Sequence, residues 1–270
     1  MGARPTIYLE SSMKILVCIK QVPNMDSRFM VNAEGVWYEE QDLAFRMNEY
    51  DEFAVEQAIR LKEQLVGAAD ITILSIGPDR VVEVIKKGLA MGGDRGVHIQ
   101  DEHPYQKDPW QVASVIAAFA MDKKFDLVFT GLQSQDRGSA QVGVTVAELL
   151  GYACATTLVG FELIGDVVTA KRELEGGMRA IVKFKLPAVV TCQLGLNTPR
   201  YPTLPNIMKA RQKEILTFPI TDFLSEESLT TTVRMVPPEK KGHGLVLEGD
   251  INETADKLVA ILKEKTTVLR

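Results

Sequence analysis

Residues Phe125 to Gly151 read FDLVFTGLQSQDRGSAQVGVTVAELLG. The apolar, β-branched run Phe125–Thr130 predicts a buried strand, and the spacing of apolar residues over Gly138–Leu150 predicts a helix. Between them lies a turn rich in Gly, Ser and Gln. The same order repeats outward. Further strands are predicted at Ile15–Val22, Asp70–Ile76, Gly96–Gln100 and Ala188–Thr191, with helices at Asn48–Gln64, Asp79–Met91 and Trp110–Lys123. Asn48 stands where an N-cap is expected, and Asp51 and Glu52 follow in a first turn that favours acids. Strand and helix in strict turn imply an open, doubly wound α/β sheet, mainly parallel.

From about Phe161 the pattern changes. FELIGDVVTAKRELEGGMRAIVKFKLPAVVT predicts antiparallel strands turning at Gly165-Asp166 and Gly176-Gly177, an extension of the sheet. A polar connector follows Met208. Pro237 to Gly249 has no periodicity and is expected to be a linker or arm. Glu253–Thr266 predicts a closing helix with Ala255, Leu258, Val259, Ile261 and Leu262 on one face. Three parts are therefore expected: an N-terminal extension at 1–12, an α/β domain at 13–230, and a C-terminal arm and helix at 231–270.

Hydrophobic residues make up 46% of the 270 and charged residues 25%, enough to bury a sizeable core. A net charge of -5 argues against general nucleic-acid binding and suits protein partners. Cys18, Cys154 and Cys192 are odd in number, far apart and set in apolar runs, as expected of reduced core thiols in a cytoplasmic protein. No apolar run approaches the ~18 residues of a membrane span. No basic stretch followed by an apolar signal core opens the chain. Direct membrane insertion is not expected.

Three segments are candidates for function. The turn Gly131–Gly143 presents backbone N–H groups and hydroxyls at a positive helix end, where a phosphate can bind. The bland reading of the same turn is that its glycines and Ser139 only make and cap it. Ser75-Ile76-Gly77-Pro78 stands at another strand end, and an adenosine lying across the ends of the first, second and fourth predicted strands is sterically reasonable. The third segment is LGLNTPRYPTLPNIMKARQK, Leu194 to Lys213. Its prolines predict a stiffened, exposed loop. Leu204, Ile207 and Met208 beside Lys209, Arg211 and Lys213 make either an anchor with an electrostatic rim or a segment folded onto its own domain. His98, His103 and His243 are scattered, no catalytic set emerges, and a carrier fits better than an enzyme.

One family shares these stretches. KILVCIKQVPN from Lys14, MNEYDEFAVEQAIRLKE from Met47, ILSIGP from Ile73, GLAMGGDRGVHI from Gly88, the AQVGVTVAELLG run from Ala140, KRELEGGMRAIVKFKLPAVVT from Lys171 and LNTPRYPTLPNIMKARQK from Leu196 stand in family order. Over residues 13 to about 215 the chain resembles the beta subunit of electron transfer flavoproteins. The resemblance implies a Rossmann-like domain in a heterodimer with a homologous alpha subunit that holds the redox-active FAD. The C-terminal arm would pack on that subunit. Electrons would pass from dehydrogenases, such as acyl-CoA dehydrogenases of fatty acid oxidation, to a membrane quinone reductase or other acceptor.

The resemblance also implies that the beta subunit buries AMP, or a second FAD in bifurcating, NADH-oxidising members. The pocket residues carried over are Cys18, Asn48, Glu49, Tyr50, Asp51 and Ile76, with Ser134, Gln135, Asp136, Arg137, Gly138, Ser139, Ala140, Gln141, Val142, Gly143, Val144 and Thr145 from the loop. Tyr50 takes the place of an aromatic residue that nears the alpha subunit's flavin. Docking falls to Tyr201, Leu204, Pro205, Ile207, Met208, Lys209 and Arg211, with Leu204 entering a hydrophobic pocket of the dehydrogenase. The run Gln135 to Gly143 shares AQVG with bifurcating members and lacks the acid runs of both types, whereas LNTPRYPTLPNIMK is the form of the conventional ones. AMP is the preferred reading and a second FAD the alternative. Arg137 either contacts a phosphate or faces solvent.

Overall fold

Buried parallel strands read as continuous apolar runs because helices cover both faces of their sheet. In the computed structural model, which describes residues 12–237 and 244–267, such runs set the order of the chain. It passes through β1 (Met13–Cys18), β2 (Gln21–Pro23), β3 (Phe45–Met47), α1 (Glu49–Gln64), β4 (Ala69–Gly77), α2 (Val82–Met91), β5 (Arg95–Gln100), α3 (Pro109–Ala120) and β6 (Leu127–Gly131). Then follow α4 (Val142–Leu150), β7 (Ala153–Ile164), β8 (Val167–Glu173), β9 (Arg179–Lys185), β10 (Ala188–Cys192), α5 (Leu204–Ala210), β11 (Ile215–Pro219) and α6 (Ile251–Lys265).

The main sheet has nine strands in the order β11-β5-β4-β1-β6-β10-β7-β8-β9. Every neighbouring pair from β11 to β7 is parallel, while β7-β8 and β8-β9 are antiparallel. The expected mainly parallel α/β class with an antiparallel extension is what forms. Ile15, Val17, Ile71 and Ile73 face one core with Ala54, Val55 and Leu89, on the side of α1 and α2. Leu16, Leu74 and Val128 face the other with Ile116, Phe119 and Val146, on the side of α3 and α4. The chain steps outward from β1 to β4 and β5, then crosses back to β6 on the opposite flank of β1. That reversal is the switch point at which open α/β sheets bind ligands.

Several expectations need correction. Ile15–Val22 is not one strand, because the chain leaves the main sheet after Cys18 and β2 pairs antiparallel with β3 in a separate two-stranded sheet. The helix expected from Gly138 begins at Val142, since Gly138 (φ 62°) and Ala140 (φ 53°) are left-handed and cannot join a right-handed helix. Ser139 is not its cap; Gln141 holds that place without a side-chain bond. Leu194 to Lys213 is not all loop but contains α5, with Thr203 as cap and Pro205 in the first turn. Cys18 and Cys192 are buried thiols, but Cys154 is exposed.

The chain divides into two compact units between Met235 and Val236. The second contains α6, whose first N–H groups at Asn252 and Glu253 are accepted by Asp250 Oδ1. In this helix Ile251, Leu258 and Val259 are exposed. The expected extension at 1–12, apart from Ser12, lies outside the described residues, as do His243 and residues 238–243 of the expected linker.

Phe119 of α3 holds the far edge of the first unit. Its buried ring lies 6.4 Å from that of Phe125, 6.3 Å from Phe218 and 5.8 Å from Phe223. Truncating such a side chain removes its transfer energy and leaves a cavity. Phe119→Ala should destabilise the chain by about 3–5 kcal/mol, read as a lower urea midpoint with unchanged denaturant dependence.

Candidate functional site

The site begins with one carboxylate. Asp51, in the first turn of α1, is buried. Its Oδ2 accepts the Lys20 N–H at 2.7 Å, and its Oδ1 accepts the Gly131 N–H at 3.1 Å. Lys20 stands just past β1 and Gly131 ends β6, so Asp51 ties together the strand ends on both sides of the switch point. Position 131 must be glycine, because a Cβ there would lie 2.2 Å from Asp51 Oδ1. Burial pushes the Asp51 carboxyl up to about 7, against the two N–H donors, the Asn48 side chain and the Lys20 charge, which favour the anion.

Asn48 takes the N-cap position of α1, yet its side chain caps nothing. Instead its Nδ2 donates to Gln133 O at 2.9 Å and its Oδ1 accepts from Gln135 N at 3.0 Å. The amide thereby holds the loop after β6 as a strand neighbour would. Around it, Gln133 Nε2 donates to the Tyr50 hydroxyl at 3.2 Å and Gln135 Nε2 to Glu49 at 3.0 Å. Further along, Lys20 Nζ binds Asp136 at 2.6 Å. Burial lowers the Lys20 ammonium below its ordinary value, an effect that Asp136 partly offsets.

Arg137 does not simply face solvent. Its guanidinium donates to Lys107 O at 2.7 Å and to Tyr105 O, and lies 4.9 Å over the Trp37 ring. Trp37 in turn stacks on Tyr105 with centroids 5.8 Å apart. Three segments distant in sequence are thus closed around one cation.

These groups surround a cavity at the carboxyl ends of β1, β4 and β6. Of the expected pocket residues, Cys18, Asn48, Asp51, Ile76, Ser134, Arg137, Ser139, Ala140, Gln141, Val142 and Gly143 line it. Glu49, Tyr50, Gln135, Asp136, Gly138, Val144 and Thr145 do not; the first four of these brace its walls through the bonds given above. The lining also includes residues that the sequence reading passed over, among them Lys20, Asp101, Lys107, Val112 and Ile116. Asp101 directly follows β5, so extending the strand-end argument to one more strand would have found it.

Two features of the lining lack protein partners. Asp101 Oδ1 accepts Lys107 Nζ at 2.9 Å and His103 N at 3.1 Å, but its buried Oδ2 meets no protein donor among the described residues. At the start of α4 the first helical bond runs from Thr145 N to Gln141 O, which leaves the N–H groups of Val142 and Gly143 at the cavity without a helical acceptor. A helix end of free N–H groups attracts an anion, a lone carboxylate oxygen accepts a hydroxyl or amine, and Val112 and Ile116 supply an apolar wall. The set suits a nucleoside phosphate.

A second surface lies on Leu194 to Lys213. Tyr201 is 92% exposed, Leu204 78% and Met208 67%, while Ile207, Pro205, Lys209 and Arg211 also face out. These apolar residues do not fold onto their own domain. Arg200, just before them, is forked onto Glu56 and Glu63 of α1. Burial alone would raise Glu56, but hydrogen bonds from Arg200 and Arg60 hold it below the usual carboxylate range.

Fold and surfaces together define a doubly wound α/β chain with a cavity at its switch point and an exposed apolar ridge at Tyr201 to Met208. The family described as electron transfer flavoprotein domain matches residues 35–223. The electron transfer flavoprotein subunit beta of Methylophilus methylotrophus is 34% identical over 261 residues, 93% of this chain and 98% of the relative. That of Bacillus subtilis is 35% identical over 263 residues, 95% and 100% of the two chains. The mouse subunit is 36% identical over 257 residues, 94% and 98%. The chain belongs to the electron transfer flavoprotein family, as a beta subunit.

Because burial raises the Asp51 carboxyl from its ordinary 3.8 to about 7, the folded state keeps its proton over a range in which the unfolded chain has lost it. The stability this group contributes is fully present below about pH 4 and is lost as the pH rises through about 7. Asp51→Asn removes that dependence. Urea midpoints of the two proteins between pH 4 and 8 should converge or cross in that sense; a constant difference would refute the shift.

Proposed function

We propose that this chain serves as the beta subunit of a heterodimeric electron transfer flavoprotein, holding AMP in the switch-point cavity and docking an electron-donating dehydrogenase through Leu194 to Lys213. The observation that carries the nucleotide assignment is the pairing of a partnerless buried Asp101 oxygen with the free N–H groups at the start of α4, in one cavity. Val142 and Gly143 would hold the phosphate, Asp101 a ribose hydroxyl or base amine, and the Val112–Ile116 wall the flat face of the base. In this arrangement AMP is structural. The FAD held by the alpha subunit supplies the redox chemistry, and this chain carries no substrate-transforming step.

The docking assignment rests on exposure. Leu204 and Met208 stand in water beside Lys209 and Arg211, the composition of an apolar anchor with a charged rim. A single anchor leaves the flavin domain of the alpha subunit free to swing toward an acyl-CoA dehydrogenase, and later toward a membrane quinone reductase. The arm from Val236 and its exposed Ile251, Leu258 and Val259 would pack on the alpha subunit. The setting is cytoplasmic, in fatty acid oxidation.

Acid extraction and chromatography of the purified heterodimer tests the cavity's occupant. One FAD and one AMP per dimer are expected, whereas two FAD and no AMP would replace this reading with a bifurcating, NADH-oxidising one. For the docking surface, Leu204→Ala should raise the KM for the dehydrogenase by roughly 10- to 30-fold, the cost of losing an interface hot spot. Flavin and nucleotide content should stay at wild-type levels; loss of FAD would place Leu204 in the fold instead.

A further inference from the structure

An exposed apolar ridge presents its anchor well only if the backbone beneath it is held still before the partner arrives, because ordering a loop on binding weakens the complex. The docking segment is fixed at both ends. On the exit side Ala210 is buried and Lys213 Nζ donates to Leu89 O at 3.1 Å and to Gly93 O at 2.5 Å, at the end of α2. On the entry side α1 holds it. Asn197 Nδ2 donates to Phe53 O at 3.0 Å, and Arg60 Nη2 to Thr198 O at 3.2 Å.

The last tie before the ridge is Arg200. Its Nε meets Glu56 at 2.8 Å and its Nη1 meets Glu63 at 2.6 Å, while Nη2 reaches Glu56 at 3.2 Å and Glu63 at 3.1 Å. Its backbone N–H adds a bond to the same Glu56 oxygen at 3.2 Å. The Glu56 side chain is 3% exposed and is shared with Arg60 at 2.7 Å. One residue later Tyr201 is 92% exposed. The clamp therefore stands at the boundary between the pinned and the free part of the segment.

We infer that Arg200, gripped by Glu56 and Glu63 of α1, is the positioning residue of the docking surface, fixing the angle at which Tyr201, Leu204 and Met208 are offered to the dehydrogenase. The inference rests on the reading of this segment as the docking site. It does not require Arg200 to touch the partner. A planar fork bound to two carboxylates fixes direction as well as distance, which a lysine ammonium in the same place would not.

The test uses the heterodimer and steady-state transfer from a titrated acyl-CoA dehydrogenase. Arg200→Gln should raise the KM for the dehydrogenase roughly tenfold with kcat little changed and with wild-type flavin and nucleotide content. Arg200→Lys should recover only a small part. In the double variant, Leu204→Ala should cost several-fold less than it does alone, because an anchor that is already misplaced has less to lose. Glu63→Gln, which loosens only the exposed half of the clamp, guards against a variant that fails to fold and should raise KM about threefold. An unchanged KM in Arg200→Gln and Glu63→Gln, or fully additive effects with Leu204→Ala, would overturn the inference while leaving the docking site in place. An unchanged KM in Leu204→Ala would remove the docking reading, and the clamp's purpose with it.

Discussion

Everything at the carboxyl end of the parallel strands depends on the bond pair that Asp51 makes to Lys20 and Gly131. Parallel neighbours have no turn to hold their carboxyl ends in register, and at the switch point the chain leaves β1 and β6 in unrelated directions. A carboxylate with two acceptor oxygens can satisfy one N–H from each strand end. Its place in the first turn of α1 adds the favourable field of the helix. The cost is burial of an acid, visible in its raised pKa. Once Lys20 is held there, β1 cannot continue, and the chain turns out to form β2 with β3. The cavity is the space that this divergence leaves.

The parallel core was legible because strands buried on both faces declare themselves as β-branched apolar runs, whatever their neighbours. Where a run changed sheet without changing composition, as from Cys18 through Val22, periodicity carried no trace of the break. The start of α4 was hidden for a related reason. Gly138 announces a turn, but the left-handed φ of Ala140 is a conformation that alanine rarely adopts. The start of the exposed helix α5 is written in its residues. Thr203, Leu204 and Pro205 make a cap followed by a proline in the first turn, a helix start and not only a stiff loop.

The cavity was legible to the extent that strand ends predict it. Ile76, Ser134, Arg137 and Ser139 to Gly143 follow from that rule, whereas Cys18, inside the predicted strand Ile15–Val22, comes only from the resemblance. Lys107, Val112 and Ile116 do not follow from it either, because they arrive from the connection between β5 and α3 and from α3 itself, where one sequence marks no approach to the cavity. Arg137 shows the limit most clearly. An arginine in a glycine-rich turn invites a phosphate partner, yet two of its five N–H groups go to the carbonyls of Tyr105 and Lys107, some thirty residues earlier. Which group takes a charge is a tertiary fact.

Helix α1 joins the two surfaces. At about 1.5 Å per residue its 16 residues span about 24 Å. Asn48 and Asp51 at one end organise the cavity loop and the strand ends; Phe53 O, Glu56, Arg60 and Glu63 further along grip the segment that leads into Tyr201 and Leu204. Both surfaces owe their direction to charge-assisted or backbone hydrogen bonds, with apolar packing confined to their inner sides, as at Ala210 and Ile116. The reason lies in what each must leave open. A cavity that is to stay open cannot be filled by side chains, and a ridge that presents Leu204 cannot bury it. With hydrophobic burial reserved for the sheet and its helices, directional polar contacts are the remaining means of fixing a loop, and a single rigid helix lets one set of them serve both ends.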